Sequence, residues 1–282
     1  MDNIFSKISN NYREMTPGQR KLAEYIDDLG NEVFLLNSRQ LAKQAGVSEA
    51  TVSRFVKELG FESFSEFRDT MGRTALENFS TTKRLADSSE QMRDQEEILT
   101  HILDCDRRNI GEMKQSVSAS QVSQAVEHLC NARHIYVLGL RSSYALAFYL
   151  AFYLKFFLSN VTLIEPGIGD LPEQLLEAGK KDALITLSFK RYTRETVELT
   201  EKIKKRGLDT IAITDSALSP VAETADNKLI TPTRIPTFFE SYTAPMSLIN
   251  VLLTAIAIRQ EDRSMEALNK MESVFREFKT YY

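Results

Sequence analysis

The spacing of apolar residues changes once along the chain. Up to about residue 130 they recur every three or four positions, as Ile98, Ile102, Cys105 and Ile110 do, which is the period of a helix with one buried face. After that come short aliphatic and β-branched runs, HIYVLGL, NVTLIEP, DALITLS, DTIAITD and NKLITP, each the length of a buried strand. Helical stretches are predicted between them at 142–158, 171–178, 194–206 and near Ser219, with a helix before them at 120–130 and a long helical segment after them at 242–282. Strands alternating with helices imply parallel βαβ units. The expected fold is an all-α N-terminal domain followed by an α/β doubly wound parallel sheet.

Capping signals place the first helices. Thr16-Pro17-Gly18-Gln19 joins a capping hydroxyl, a proline at the first helical position and a glutamine three residues on, and Ser63-Phe64-Ser65-Glu66 repeats the capping box. The stretch FSTTKRLADSS, 79–89, is polar and unpatterned, so a boundary is predicted there. A new helix is predicted to start at 88–91. These signals divide the chain into 1–79, a linker at 80–89, and 90–282.

Residues 38–57, SRQLAKQAGVSEATVSRFVK, have helix-turn-helix spacing. Ala42 is small where two helices approach, Gly46 suits a left-handed turn, and Val47, Val52 and Phe55 form a small core. Val52, Phe55, Val56 and Leu59 share one face of the second helix. Ala50, Ser53, Arg54 and Lys57 take the other. With Ser48 as N-cap, this arrangement predicts that 48–57, including Glu49 and Thr51, enters a DNA major groove. Arg54 can fork onto guanine, and Ser53 can reach a base edge or a phosphate. Arg39, Gln40 and Lys43 of the first helix would face phosphates. The competing reading is an ordinary helical hairpin without DNA activity.

Charge favours DNA contact only locally. Residues 1–79 hold ten Lys or Arg against twelve Asp or Glu, whereas 38–60 hold four against two. One such module makes few phosphate contacts, so binding is expected to depend on dimerisation to a homodimer or homotetramer. A formal net charge of -4 does not point to a strongly basic binder. The two cysteines, Cys105 and Cys130, have no ligand-spaced His or Cys beside them, so no metal, cofactor or disulfide is expected. No apolar run reaches the roughly 20 residues that span a bilayer, and the N-terminus lacks a signal-peptide pattern. A cytoplasmic protein is expected.

The segments TPGQRKLAEYI and LAKQAGVSEATVSRFVKELGFESFSEFR resemble the RpiR family of bacterial transcriptional regulators. In that family an N-terminal helix-turn-helix domain precedes a C-terminal sugar isomerase (SIS) domain. The resemblance continues in YVLGLRSSYALA, similar to the first strand, turn and helix of an SIS domain, and in GLDTIAITDSALSPVAETAD, similar to a later strand and the segment after it. It implies a phosphosugar held over two loops by hydroxyls and helix N-terminal amides. The matching first loop is Gly139-Leu140-Arg141-Ser142-Ser143, with Arg141 where a second glycine is usual. In the second loop Ser188 and Thr193 match the family pattern, but Lys190 and Arg191 replace an inner Ser and Gly. Losing those small residues is expected to hinder close backbone approach to a phosphate, while Arg141, Lys190, Arg191 and Arg194 add donors for an anion.

The resemblance therefore implies a DNA-binding regulator that senses a small anionic effector, a phosphosugar or other carbohydrate-derived acid, and reads a pseudo-palindromic operator in double-stranded DNA. Three alternatives stay open for the effector site and for the whole chain. The loop cations could instead pair with Glu165, Asp170 or Glu195, leaving a domain that only dimerises. A phosphosugar isomerase would need a base; Glu240 is the carboxylate placed for it, while His101, His128 and His134 read as structural or surface residues. A helix-turn-helix interaction protein that does not bind DNA is the other rival. The aromatic helix around Phe148, Tyr149, Phe152, Tyr153, Phe156 and Phe157 is expected in the core or a dimer contact. The stripe Leu248, Val251, Leu252, Ala255 and Ile258 is read as packing or subunit interface.

Overall fold

A computed structural model describes residues 4–78, 80–165 and 171–281. The chain falls into two compact units, Met1–Glu90 and Gln91–Tyr282.

The first unit is helical: α1 Ile4–Asn11, α2 Pro17–Leu29, α3 Ser38–Ala45, α4 Glu49–Glu58, α5 Phe64–Asn78 and α6 Thr81–Gln91. The Thr16 capping box forms, with Gln19 Oε1 accepting from Thr16 N–H at 2.9 Å. A second box, Asn37 with Gln40, starts α3 one residue before the motif as read. At α5 only half the expected box forms. Ser63 Oγ accepts from Glu66 N–H at 3.2 Å, but the Glu66 carboxylate reaches past Ser63 to Glu62 N–H at 2.7 Å.

The stretch read as a linker is largely helical, as α6. Ser88 and Ser89 donate back to the carbonyls of Arg84 and Leu85, at 2.6 and 2.9 Å, so their hydroxyls bond within the helix instead of competing with it. The helix expected to begin at 88–91 therefore begins later. Asp94 caps it, its Oδ1 accepting from the Glu96 and Glu97 amides at 2.9 Å each. The core of this unit is Leu22, Ile26, Leu41, Val52, Phe55, Val56, Phe67 and Met71, all essentially inaccessible. Burial of each contributes roughly 1.5–3 kcal/mol.

The second unit contains α7 Gln95–Ser116, α8 Ala119–Asn131, β1 Ile135–Leu138, α9 Tyr144–Phe157, β2 Val161–Leu163, α10 Leu171–Gln174, β3 Ala183–Leu187, α11 Arg194–Lys204, β4 Asp209–Thr214, α12 Pro220–Thr224, β5 Asn227–Ile230, α13 Thr243–Arg259 and α14 Glu261–Glu277. All five predicted strands pair in parallel, in the order β2-β1-β3-β4-β5. Every residue of β1 and β3 is buried, whereas the edge strands β2 and β5 are partly exposed. One face packs Val137, Ile185 and Ile213 against Leu150, Leu248 and Leu252. The other packs Tyr136, Leu138 and Leu184 against Leu199 and Ile203. From β1 the chain goes to β2 on one side and β3 on the other, so the loops after β1 and β3 open at a switch point. Ligands of doubly wound sheets bind at such points.

Four expectations gain detail. The helix expected at 171–178 is confined to Leu171–Gln174. The segment 242–282 is two helices, broken at Gln260. In α9 the aliphatics Leu146, Ala147, Leu150, Ala151 and Leu154 fill the core, while Phe148 and Phe152 remain about half exposed. In α13 Leu248 and Leu252 are buried but Val251 and Ile258 are exposed.

Candidate functional site

In the first unit, α3 and α4 form the helix-turn-helix. Gly46 adopts φ 64° and ψ 42°, the left-handed region. Its N–H donates to Lys43 O, and Val47 N–H donates to Ala42 O at 2.9 Å, closing the turn. Ser48 caps α4 by accepting from Thr51 N–H at 3.1 Å. Glu49, Ala50, Ser53, Arg54 and Lys57 are exposed on the outer face of α4, with Arg39 and Lys43 exposed on α3. Two of the candidate contacts serve the fold. Gln40 Oε1 accepts from Asn37 N–H, and Thr51 Oγ1 lies 2.9 Å from Ser48 Oγ. Arg54 Nε is folded onto Ala50 O at 3.3 Å.

In the second unit the loop after β1 turns straight into α9. Gly139 is required there: a Cβ would stand 2.8 Å from Ser143 O and 2.9 Å from Ala147 Cβ. Arg141 takes φ 55°, a left-handed backbone that costs a non-glycine residue about 1–2 kcal/mol. The loop thus keeps a glycine-like conformation although the side chain is arginine. Ser142 is exposed and Ser143 buried at the head of α9. Ser142 Oγ shares a hydrogen bond with Tyr242 Oη at 2.9 Å, and Ser143 Oγ lies 3.5 Å from the same hydroxyl.

The second loop meets the first around this tyrosine. The Phe189 ring, next to the buried Ser188, lies 5.3 Å from that of Tyr242. Lys190 Nζ is 3.7 Å from Asp215 Oδ2, a nearly buried carboxylate at the end of β4. The lysine thus has an acidic partner other than Glu165, Asp170 or Glu195. Glu165 accepts from Tyr144 Oη at 3.0 Å, Glu195 is exposed, and Asp170 lies outside the described residues. Arg191 is exposed, and Thr193 precedes α11 with its side chain making no cap. Glu240 accepts from Thr233 Oγ1 at 3.3 Å within its own loop.

Tyr242 and Asp215 were not among the candidates. Tyr242 stands between Ser241 and Thr243, and Asp215 closes the ITD of β4, but only the fold brings them to the two loops. The histidines lie away from this cluster. His101 contacts Glu97 O on α7, His128 pairs with Asp209 at the start of β4, and His134 reaches Thr162 ahead of β1. At that opposite end of the sheet Arg133 clasps the buried Asp182 through Nε and Nη2, at 2.9 and 2.8 Å. Burial raises the Asp182 pKa, but the Arg133 bonds and the Gly179 amide outweigh it and hold the carboxyl below its ordinary value. Burial lowers that of His134. Among the described residues no His, Cys, Asp or Glu group is placed to hold a metal, and no helix is long and apolar enough to cross a membrane.

A helix-turn-helix unit followed by a five-stranded parallel sheet with a ligand-type switch point defines a two-domain regulator. Residues 2–75 match the helix-turn-helix domain of the rpiR family, and residues 128–255 match the SIS domain. The chain belongs to the RpiR family of transcriptional regulators. It is 25% identical over 281 residues to an uncharacterized HTH-type transcriptional regulator of Caldanaerobacter subterraneus subsp. tengcongensis, covering 97% of each chain. It is similar to the sugar isomerase domain of an RpiR transcription factor from Sphaerobacter thermophilus, with a TM-score of 0.60 and 29% identity over 62% of this chain and 98% of that one. The NanR protein of Vibrio vulnificus, solved in complex with ManNAc-6P, shares the fold at a TM-score of 0.64 and 18% identity, over 98% of this chain and 99% of that one.

Proposed function

We propose that this regulator binds operator DNA through the outer face of α4, as a homo-oligomer, and senses a small anion at the loops after β1 and β3. The effector class is a phosphosugar or other carbohydrate-derived acid. One juxtaposition carries this reading: the Ser142 and Ser143 hydroxyls stand at the head of α9 beside the ring contact that joins the second loop. Hydroxyls and helix N-terminal amides are the groups that hold phosphate, and the exposed Arg141 and Arg191 supply charge. ManNAc-6P in the NanR complex makes it the first probe to try.

In this reading residues 1–79 form the DNA-binding domain, 80–89 connect it, and 90–282 bind effector and form the subunit contact. The exposed Phe148, Phe152, Val251 and Ile258 are apolar surface suited to such a contact. The protein works in the cytoplasm, where its DNA lies, and a two-fold dimer reads a pseudo-palindrome. Regulation is favoured over isomerisation because the relatives are named transcriptional regulators and Glu240 is engaged by Thr233. Thermal unfolding with ManNAc-6P, other phosphosugars, free sugars and small carboxylates tests the site. A ligand at a hundredfold excess over its Kd adds about 2.7 kcal/mol, or roughly 5–10 °C for a unit of this size. A shift with phosphosugars supports phosphate recognition; equal shifts with free sugars, or none at all, retire it.

A further inference from the structure

The loop between β5 and α13, residues 231–242, is tied to α7 along one stripe of that helix. Ser116 Oγ donates to Ile230 O at 2.9 Å, the buried Asn109 Nδ2 to Arg234 O at 2.7 Å, and Glu112 pairs with Arg234. Asp106 completes the stripe. Its Oδ2 accepts from Thr243 Oγ1 at 2.7 Å and its Oδ1 from Ser241 Oγ. The two hydroxyls that Asp106 holds flank Tyr242 in sequence. On its other side Tyr242 meets both candidate anion loops, through Ser142 and Ser143 and through Phe189. Spacings of three and four put residues 106, 109, 112 and 116 on one face of α7, so the loop is bonded along nearly three turns of one helix. That helix begins at Gln95, just past the boundary between the two units.

We propose that Tyr242 reports occupancy of the anion site to α7. This rests on the anion reading above. An anion that takes the Ser142 and Ser143 hydroxyls competes for the hydrogen bond to Tyr242 Oη. Tyr242 must then move or rotate, and Ser241 and Thr243 pass that movement to Asp106. The ring contact with Phe189 makes the same tyrosine sensitive to the second loop. Asp106 is a positioning residue in this scheme, because it acts on the site only through the residues flanking Tyr242. A ligand shifts the state of α7 only as far as it prefers one arrangement of Tyr242 over the other.

The coupling can be read without any ligand. Amide hydrogen exchange over residues 100–116 is measured in the full chain, in Tyr242→Phe, in Asp106→Asn and in the double variant. Tyr242→Phe keeps the ring and loses only Oη. It is expected to speed exchange in both the 231–242 loop and α7, by on the order of fivefold where the helix is affected. In the Asp106→Asn background the same substitution should alter the loop and leave α7 unchanged. Exchange in α7 that is indifferent to Tyr242→Phe, or effects that simply add in the double variant, would overturn the proposal. Ser241→Ala with Thr243→Val provides a second break in the same relay, and should likewise silence the α7 response to Tyr242→Phe. Thermal unfolding of the same proteins with ManNAc-6P and inorganic phosphate reads the anion site separately. Coupling present without any ligand shift condemns the anion reading and with it the reporting role, leaving the relay as a structural link, and a ligand shift without coupling condemns the relay alone.

Discussion

Gln19 Nε2 donates to Glu58 Oε2 at 2.6 Å, linking the first turn of α2 to the last residue of α4. The same amide side chain, 4% exposed, accepts from Thr16 N–H through Oε1. A cap in one helix therefore fixes the C-terminal end of the helix that would lie on DNA.

Gln19→Ala removes these bonds together with that from Thr16 Oγ1, and leaves the Thr16 cap and the Glu58 carboxylate without this partner. A loss of about 1–3 kcal/mol is expected for the first unit, measured by chemical denaturation. Glu58→Gln keeps an acceptor and should cost less than half as much. Equal losses in the two variants would show that charge, and not the shared amide, matters.

Arg54→Ala should lower affinity for a specific operator by about 1–3 kcal/mol and relax base preference at one position. Lys57→Ala, which in the proposed reading removes a phosphate contact, should weaken all sequences alike and reduce the salt dependence. Competition binding at two salt concentrations separates them. A specific operator bound equally well by Arg54→Ala removes α4 from base reading.

Arg191→Ala is expected to leave DNA affinity unchanged and to abolish the response to an anionic effector, because this side chain is exposed at the second loop. Lys190→Ala should behave differently. It strips the nearly buried Asp215 of a cation, so a loss of stability should accompany any loss of response. Melting curves and effector titrations on the same samples distinguish the two; matching behaviour would contradict the Asp215 pairing.

Gly139→Ala should destabilise the second unit by about 1–3 kcal/mol, since its Cβ meets backbone at Ser143 and the Cβ of Ala147. Neither is the movable end of a long side chain. Thermal unfolding within about 1 °C of wild type would mean that α9 can shift away from β1 at little cost.

The Asp182 carboxyl is held below its ordinary value of 3.8, so its contribution is present above that range and disappears as pH falls through the lower folded value. Asp182→Asn should be less stable than wild type at neutral pH by about 1–3 kcal/mol. The gap should narrow as the pH falls from about 4. Asp226, lowered in the same direction through Lys204 and Thr210 despite its burial, leaves the variant some acid sensitivity. A gap that stays constant down to pH 2 would contradict the assignment.

The five strands were legible because buried parallel strands must be continuous apolar runs, and the helix-turn-helix because Gly46 and the Val52–Phe55–Val56 face obey local rules. Helix limits were less so where polar residues bonded within their own helix: Ser88 and Ser89 made α6 look like a linker. At the loops after β1 and β3 the sequence marked Ser142, Ser143 and Ser188 through family likeness, and it marked Arg141 as a departure. It could not show that Arg141 keeps the left-handed backbone, since φ is not written in composition. Tyr242, Asp215 and Asp106 escaped notice because their partners lie 100, 25 and 135 to 137 positions away, and only the folded second unit brings them together.

The hydroxyl cluster of Ser142, Ser143 and Tyr242 has a consequence for timing. Its members already bond to one another, so an anion binding there as proposed would exchange hydrogen bonds instead of adding them, and only the difference would contribute to affinity. Weak net affinity at an ordinary association rate means rapid departure. If the proposed effector binds here, a sensor built this way would follow a rising and falling metabolite pool closely and keep little memory of its last ligand.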